Sequence, residues 1–348
     1  MSIEITLYPK IATKLKMTSF LKKEGFIKCK HIIDEFNTKN DLHYHWYDGE
    51  HFKSIDGVEA SVILKKEITE TNSKGEEWLL HTRTRSIASR EDKEKQNEVI
   101  KNAKKLFGGH FDNDRYGKNK YTNLDDYEIK SPLEKGLFLM HENIYEKIEK
   151  INLFVNQPDD FSNNYDNIPD SSLKELIQSQ NPNRIVYNSL LPFLVSLVEY
   201  LLGNSFTLLL KYDEIAYSKL NDDNFKIPID QVIKISNGEL DITEIISETI
   251  NFQNLYIANK AYIKYFNIDL LKVISINKVV HRKKIFLKNE IENIISLRHK
   301  MIHEFAFDYS YDKTNFLFHL GIIEKFVGVF IEHLENDKKL KINIYHRK

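Results

Sequence analysis

The spacing of apolar residues changes along this chain, and the change divides it. In the first half they alternate with polar residues, as in strands buried on one face. Ile3–Tyr8, Asp41–Tyr47, Val58–Ile68 and Trp78–Ile87 read as strands. Asn72-Ser-Lys-Gly75 supplies turn chemistry between the last two, which predicts an antiparallel hairpin. In the return strand Trp78, Leu80, Thr82 and Thr84 share one face, and Leu79, His81, Arg83 and Arg85 the other. His43 and His45 also share a face. Thr18–Cys29 reads as a short helix weakened by Gly25. Arg90–Phe107 is a charged helix closed by Gly108-Gly109, residues 108–123 a polar loop, and Leu133–Val155 a further helix.

In the second half the apolar period is helical. Helices are expected at 184–211, 241–266 and 283–305, with a short one at Asp269–Val280 and a last one at Asn315–Asn336. Residues 222–241 are less regular. Asn156–Asp170, dense in Asn, Asp and Pro, has a linker's composition, and Ser172-x-x-Glu175 has the form of a capping box. The expected fold is α+β, with a mixed α/β recognition or sensor domain at 1–155, a linker at 156–171 and an all-α bundle at 172–348.

A length of 348 residues suits two domains. The net charge of -1 gives no global sign of a nucleic-acid binder, so any such contact needs a local patch. One cysteine, Cys29, permits no intrachain disulfide and no cysteine zinc cluster. With an N-terminus unlike a signal peptide, this points to the cytoplasm. Leu190–Leu210 approaches the length of a membrane span, but Glu199 sits inside it, and a buried core helix is the expectation.

Two charges break the apolar pattern. In the 283–305 helix, Leu287, Ile291, Ile294, Ile295, Met301, Ile302 and Phe305 form one stripe, and Arg298 falls at its centre. A guanidinium stays charged, so it needs a partner or a polar cleft. Glu199 stands in a near-continuous apolar run of the 184–211 helix. The two charges are compatible either with a buried ion pair that sets helix packing or with a polar cleft in which Glu199 orients Arg298 or His303. His299 and His303, four residues apart, lie at the edge of the stripe. Arg298 and His303 project roughly 140° apart on an ideal helix.

Arg298-His-Lys-Met-Ile-His303, late in a long helix and followed by a closing amphipathic helix, resembles the Arg-x4-His motif of the HEPN superfamily of helical ribonucleases. The resemblance covers residues 172–336. It implies a metal-independent endoribonuclease that cleaves RNA by attack of the 2′-hydroxyl, with no cofactor. His303 would be the acid/base group, Arg298 the phosphate clamp, His299 an auxiliary group and Glu199 an orienting one. Histidine near neutral pH and a forked guanidinium suit that reaction. The resemblance further implies a homodimer with a composite site, and a toxin or phage-defence role with an antitoxin or a phage-derived trigger as partner. Lys284 and Lys288, read on the same helix flank, are candidate RNA contacts, although a solvated helix face is the commoner explanation for any single lysine.

The alternative is a non-catalytic module that binds nucleotides or proteins. A metal-dependent hydrolase is a third reading, but the His299/His303 pair has no carboxylate at zincin spacing. His319 reads as a hydrogen-bonded core histidine. In the first half, the His81/Arg83/Arg85 face and the glycine-bearing 107–117 stretch are candidate ligand sites, with a plain polar sheet face as the simpler reading.

Overall fold

The computed structural model describes residues 2–29, 42–64, 78–157, 172, 176, 180–222, 225–304, 307–308 and 310–342. The Asn72–Gly75 turn, most of the 156–171 linker, residues 173–175 of the expected capping box and Phe305 lie outside the described residues. The chain forms two compact units, Met1–Lys135 and Gly136–Lys348. Their division falls inside a helix rather than in the Asn/Asp-rich segment that composition singles out.

The first unit is a seven-stranded antiparallel sheet with helices α1 (Lys14–Lys23) and α2 (Arg90–Phe107). Its strands are β1 (Ile3–Tyr8), β2 (Ile27–Cys29), β3 (Leu42–Trp46), β4 (Val58–Leu64), β5 (Trp78–Thr84), β6 (His110–Asn113) and β7 (Gly117–Lys118), in the order β2-β3-β4-β5-β1-β6-β7. Strict alternation buries Trp78, Leu80, Thr82 and Thr84 of β5 and leaves the other face half-exposed. The buried face joins Ile3, Ile5, Leu7, Val58, Ala60 and Val62 to Val99, Ile100 and Ala103 of α2.

Two expectations fail here. The helix expected at 18–29 is α1, which starts at its Thr13 cap, and Gly25 at φ 88° turns the chain out of it into β2. The 108–123 loop contains β6 and β7. Phe111 buries fully beneath pairing to β1, a tertiary gain that a four-residue strand does not advertise. Gly109 is required at φ 91°, because a Cβ there would stand 1.9 Å from the Tyr8 carbonyl oxygen. At the start of α2, Asp92 Oδ2 accepts from the backbone N–H groups of Ser89 (2.8 Å), Ile55 (3.1 Å) and Asp56 (3.2 Å). One carboxylate thereby caps the helix and pins the loop before β4.

The second unit is built around α4 (Pro182–Tyr212), which packs on α7 (Ile242–Glu248), α8 (Leu255–Phe266), α10 (Leu287–Glu304) and α11 (Lys313–Lys338). α3 (Pro132–Val155) precedes it, and the short helices α5 (Glu214–Ser218), α6 (Ile229–Ser236) and α9 (Leu270–Ile274) fill the connections. Asp241 caps α7 as expected, but the helix stops at Glu248 and α8 begins afresh. The break lies at Asn251 and Asn254, whose side chains accept backbone N–H groups of Gln253, Tyr256 and Ile257 and so compete with the helix ladder.

The unit is not all-α. β8 (Asn277–Val280) and β9 (Lys283–Phe286) pair as a hairpin where a helix was expected, so α10 starts at Leu287 instead of 283. Val280 and Ile285 are buried by it, and Val280 packs on α11 at Gly321, where a Cβ would come within 2.9 Å of Val280 Cγ1. Tertiary burial of two β-branched residues overrides the weak helical pattern. α4 and α11 are long and apolar enough to cross a bilayer, and within the unit 50% and 56% of their apolar windows are buried.

His319 is a core histidine as expected, 7% exposed, with Nδ1 2.7 Å from the Tyr311 hydroxyl. Burial pushes its pKa down from 6.5 to about 4. Between those values the unfolded chain takes up a proton that the folded chain refuses. Stability therefore falls as pH drops from 6.5 towards 4, by about 3 kcal/mol in all. Urea unfolding of wild type and His319→Gln at pH 7 and pH 4.5 should show a shallower acid loss in the variant. Equal acid losses would remove His319 as the cause.

Candidate active site

The last turns of α10 carry the site. Leu287, Ile291 and Ile294 are buried at helical spacing and anchor its first half. Beyond Ile294 the stripe thins. Ile295 and Met301 are half-buried and Ile302 is exposed, so the end of α10 presents its side chains to solvent. His299 and His303 are both exposed and lie ring to ring, with centroids 4.5 Å apart and planes 40° apart. Two imidazoles one turn apart can address one ligand from adjacent positions.

Arg298 is half-buried, not enclosed, and its Nε is buried without a hydrogen-bond partner. Glu199 on α4 is also half-buried. The two do not meet in a direct ion pair, so the packing-pair reading fails. Burial raises the Glu199 pKa, while the charge of Arg298 and a hydrogen bond with the Gln253 side chain pull it back. Glu199 thus sits within the electrostatic reach of Arg298 and takes its hydrogen bond from the 249–254 break. That break has a consequence for the surface. With α4 it lines an open groove of ≈510 Å³ that includes Glu199, Tyr200, Asn204, Asn251 and Gln253. Nothing in the residue pattern of 241–266 announces this groove, because it arises from the interruption of a helix that the periodicity runs through.

The two candidate lysines separate. Lys284 lies in β9 and is exposed, so it is not on the helix flank. Lys288, in the first turn of α10, stands 3.9 Å from Glu292 and 5.6 Å from the Tyr256 ring centroid. Those local contacts account for Lys288. Among the described residues no three His, Cys, Asp or Glu side chains converge as a metal site.

On the first unit, strand register brings the expected residues into two rows across the half-exposed sheet face. His43, Ser61, His81 and Thr6 form one, and His45, Glu59, Arg83 and Glu4 the next. Ser61 Oγ is 2.8 Å from His43 Nδ1, and Thr6 Oγ1 3.0 Å from His81 Nδ1. Burial lowers the His81 pKa. Arg83 pairs with Glu4 (3.5 Å) and Glu59 (3.9 Å), and Arg85 with Glu59 (2.7 Å) and Asp56 (3.6 Å). Each arginine is neutralised within the face, which favours the plain polar sheet over an anion site. Beside the 107–117 stretch, Tyr8, Lys10, Trp78 and His110 line a cleft of ≈610 Å³, with His110 stacked on Tyr8 at 5.0 Å. No protein family, curated protein or solved structure matches the chain.

Proposed function

We propose that the protein is a metal-independent endoribonuclease of HEPN type. His303 acts as the acid/base group, Arg298 as the phosphate clamp, His299 as an auxiliary donor and Glu199 as the carboxylate whose charge orients Arg298 or His303. The observation that carries this reading is the end of α10. Two exposed imidazoles stand ring to ring there, and the neighbouring guanidinium has a buried, unpartnered Nε beside a carboxylate it does not pair with. A guanidinium held without a direct carboxylate partner is available to an anion. RNA supplies its own nucleophile, so a base, an acid and a positive charge on the phosphorane suffice.

A homodimer that brings two copies of the motif together completes the set of groups. The resemblance to HEPN proteins adds a cytoplasmic toxin or phage-defence role to this reading, with the first unit receiving a trigger or an antitoxin. The groove beside Glu199, lined by amide and carboxylate side chains, favours one second reading, a module that binds a nucleotide without cleaving RNA.

Arg298→Ala separates the two. Because the side chain has no hydrogen-bonded partner at Nε, the variant should unfold within about 1 kcal/mol of wild type. RNA cleavage should fall by about 10²–10³-fold, as when one donor to a developing anion is lost. Undiminished cleavage removes Arg298 from the chemistry. Absence of cleavage in wild type, with nucleotide binding retained, favours the binding module.

A further inference from the structure

The hairpin that replaces an expected helix has no role in the chemistry above. Its sequence is unusual for the chain. Leu270–Asn289 holds six cations (Lys272, Lys278, Arg282, Lys283, Lys284 and Lys288) and no Asp or Glu, in a protein whose net charge is -1. Lys278, Arg282, Lys283 and Lys284 belong to the hairpin, and among the described residues none of these four makes an ion pair. His281, Arg282, Lys283 and Lys284 are all exposed.

The backbone of the tip is as distinctive. β8 and β9 are joined by two residues, His281 at φ 45° and Arg282 at φ 66°. Tight turns of this kind place both residues in the left-handed region, where Asn and Gly are the usual occupants. Here a histidine and an arginine accept that conformation; the His281 ring turns towards Phe318, and Arg282 is exposed. Non-glycine residues in the left-handed region persist where the surroundings over-determine them, and they concentrate at functional sites.

The hairpin is fixed to the bundle. Val280 sits against Gly321, the His281 ring centroid lies 6.3 Å from that of Phe318, and Lys283 Nζ stands 5.2 Å from the Phe318 centroid. Val280 and Ile285 face inward, while Val279 and Lys284 face out. β9 runs into α10 without a linker, and Leu287 N donates to Ile276 O at 2.9 Å. The basic tip is thus held on the same rigid helix as Arg298, His299 and His303. Along that helix the start of α10 lies about 16–24 Å from them. That is on the order of five to seven nucleotide steps at stacked rise.

We infer that the β8–β9 hairpin is an RNA-backbone-binding arm, with Arg282, Lys283 and Lys284 gripping phosphates from the tip and both faces of the hairpin, on the strand whose scissile bond lies at the end of α10. The inference rests on the ribonuclease reading for its substrate class. It makes the arm, and not the flank of α10, the grip that holds a polyanion in a chain of almost balanced charge.

Arg282→Gly is the informative variant. It removes the guanidinium and places the residue best suited to a positive φ at that position, so the fold should become slightly more stable while binding weakens. Affinity for a short single-stranded RNA is measured in a His303→Ala background, where cleavage does not enter, over a range of salt concentrations. Arg282→Gly should weaken binding roughly fivefold and lower the salt slope by about 0.7, the release expected for one phosphate contact. Arg282→Gly with Lys283→Gln and Lys284→Gln should reduce the slope by about two. Lys105→Gln, an exposed charge loss in the first unit, should leave both unchanged.

Unchanged affinity and slope in the triple variant overturn the arm. So does an effect matched by Lys105→Gln, or hairpin-dependent binding to vesicles of anionic lipid with none to RNA. Hairpin-dependent RNA binding by a wild-type protein that cuts no RNA would sustain the arm and sink the nuclease. Cleavage with hairpin-independent binding would do the reverse.

Discussion

His303→Ala should cut no RNA within the time in which wild type degrades its substrate, a loss of about 10²–10⁴-fold. This corresponds to roughly 3–5 kcal/mol of transition-state stabilisation. The magnitude follows from the chemistry assigned to the imidazole. In the proposed reaction it would take a proton from the 2′-hydroxyl or give one to the leaving 5′-oxygen, and water would replace it poorly. The fold should not notice the change. His303 is exposed on the last turn of α10, and its ring contact is to His299, itself exposed. Surface substitutions of this kind shift stability by about 0.5 kcal/mol or less. His299→Ala should cost less activity than His303→Ala, because its role is auxiliary. A His303→Ala protein that cleaves at the wild-type rate ends the assignment.

Phe206→Ala should be the most damaging change to stability in the second unit, at about 3–5 kcal/mol. Phe206 is fully buried in the last third of α4. Its ring centroid lies 5.0 Å from Phe266, 5.5 Å from Tyr265, 5.6 Å from Phe252 and 5.7 Å from Tyr262. Three of the four contacts are near edge-to-face, an arrangement that adds to the area buried. Phe252 belongs to the break between α7 and α8, so the same ring ties the floor of the groove beside Glu199 to the bundle. Loss of Phe206 leaves a cavity that cannot collapse without moving α8, whose Tyr262 hydroxyl bonds Ser205 Oγ and the Leu202 carbonyl, both at 2.7 Å. Thermal or urea unfolding measures the effect. A loss under about 1 kcal/mol would mean that the aromatic cluster repacks.

The readable parts of this chain were those in which one physical signal acts alone. Alternation placed β1, β3, β4 and β5 and sorted the faces of β5, because a half-buried sheet imposes that period on long strands. The charged run Arg90–Phe107 and the apolar stripe of α10 were equally plain. Arg298 stood out because it interrupts that stripe, and the structure places it near Glu199 without pairing the two. Three things were hidden. β6 is four residues long and exists through its pairing with β1. The α7–α8 break comes from Asn251 and Asn254 turning their amides onto the backbone inside a continuous apolar pattern. The β8–β9 hairpin lacks the Asn-Gly turn that signals one, since His281 and Arg282 occupy its tip. Short elements made by tertiary pairing, and breaks made by side-chain capping, leave little trace in periodicity. One of these hidden features, the break, shapes the groove beside Glu199, and another, the hairpin, leads into the helix that carries the candidate site.

Incubating the purified protein with total cellular RNA in EDTA, and analysing the termini of any fragments, asks whether the end of α10 cuts RNA through its 2′-hydroxyl. A metal-independent ribonuclease that uses the 2′-hydroxyl predicts discrete fragments bearing 2′,3′-cyclic phosphate and 5′-hydroxyl ends from wild type, and none from Arg298→Ala or His303→Ala. Cleavage that EDTA abolishes, or fragments with 5′-phosphate ends, would contradict it.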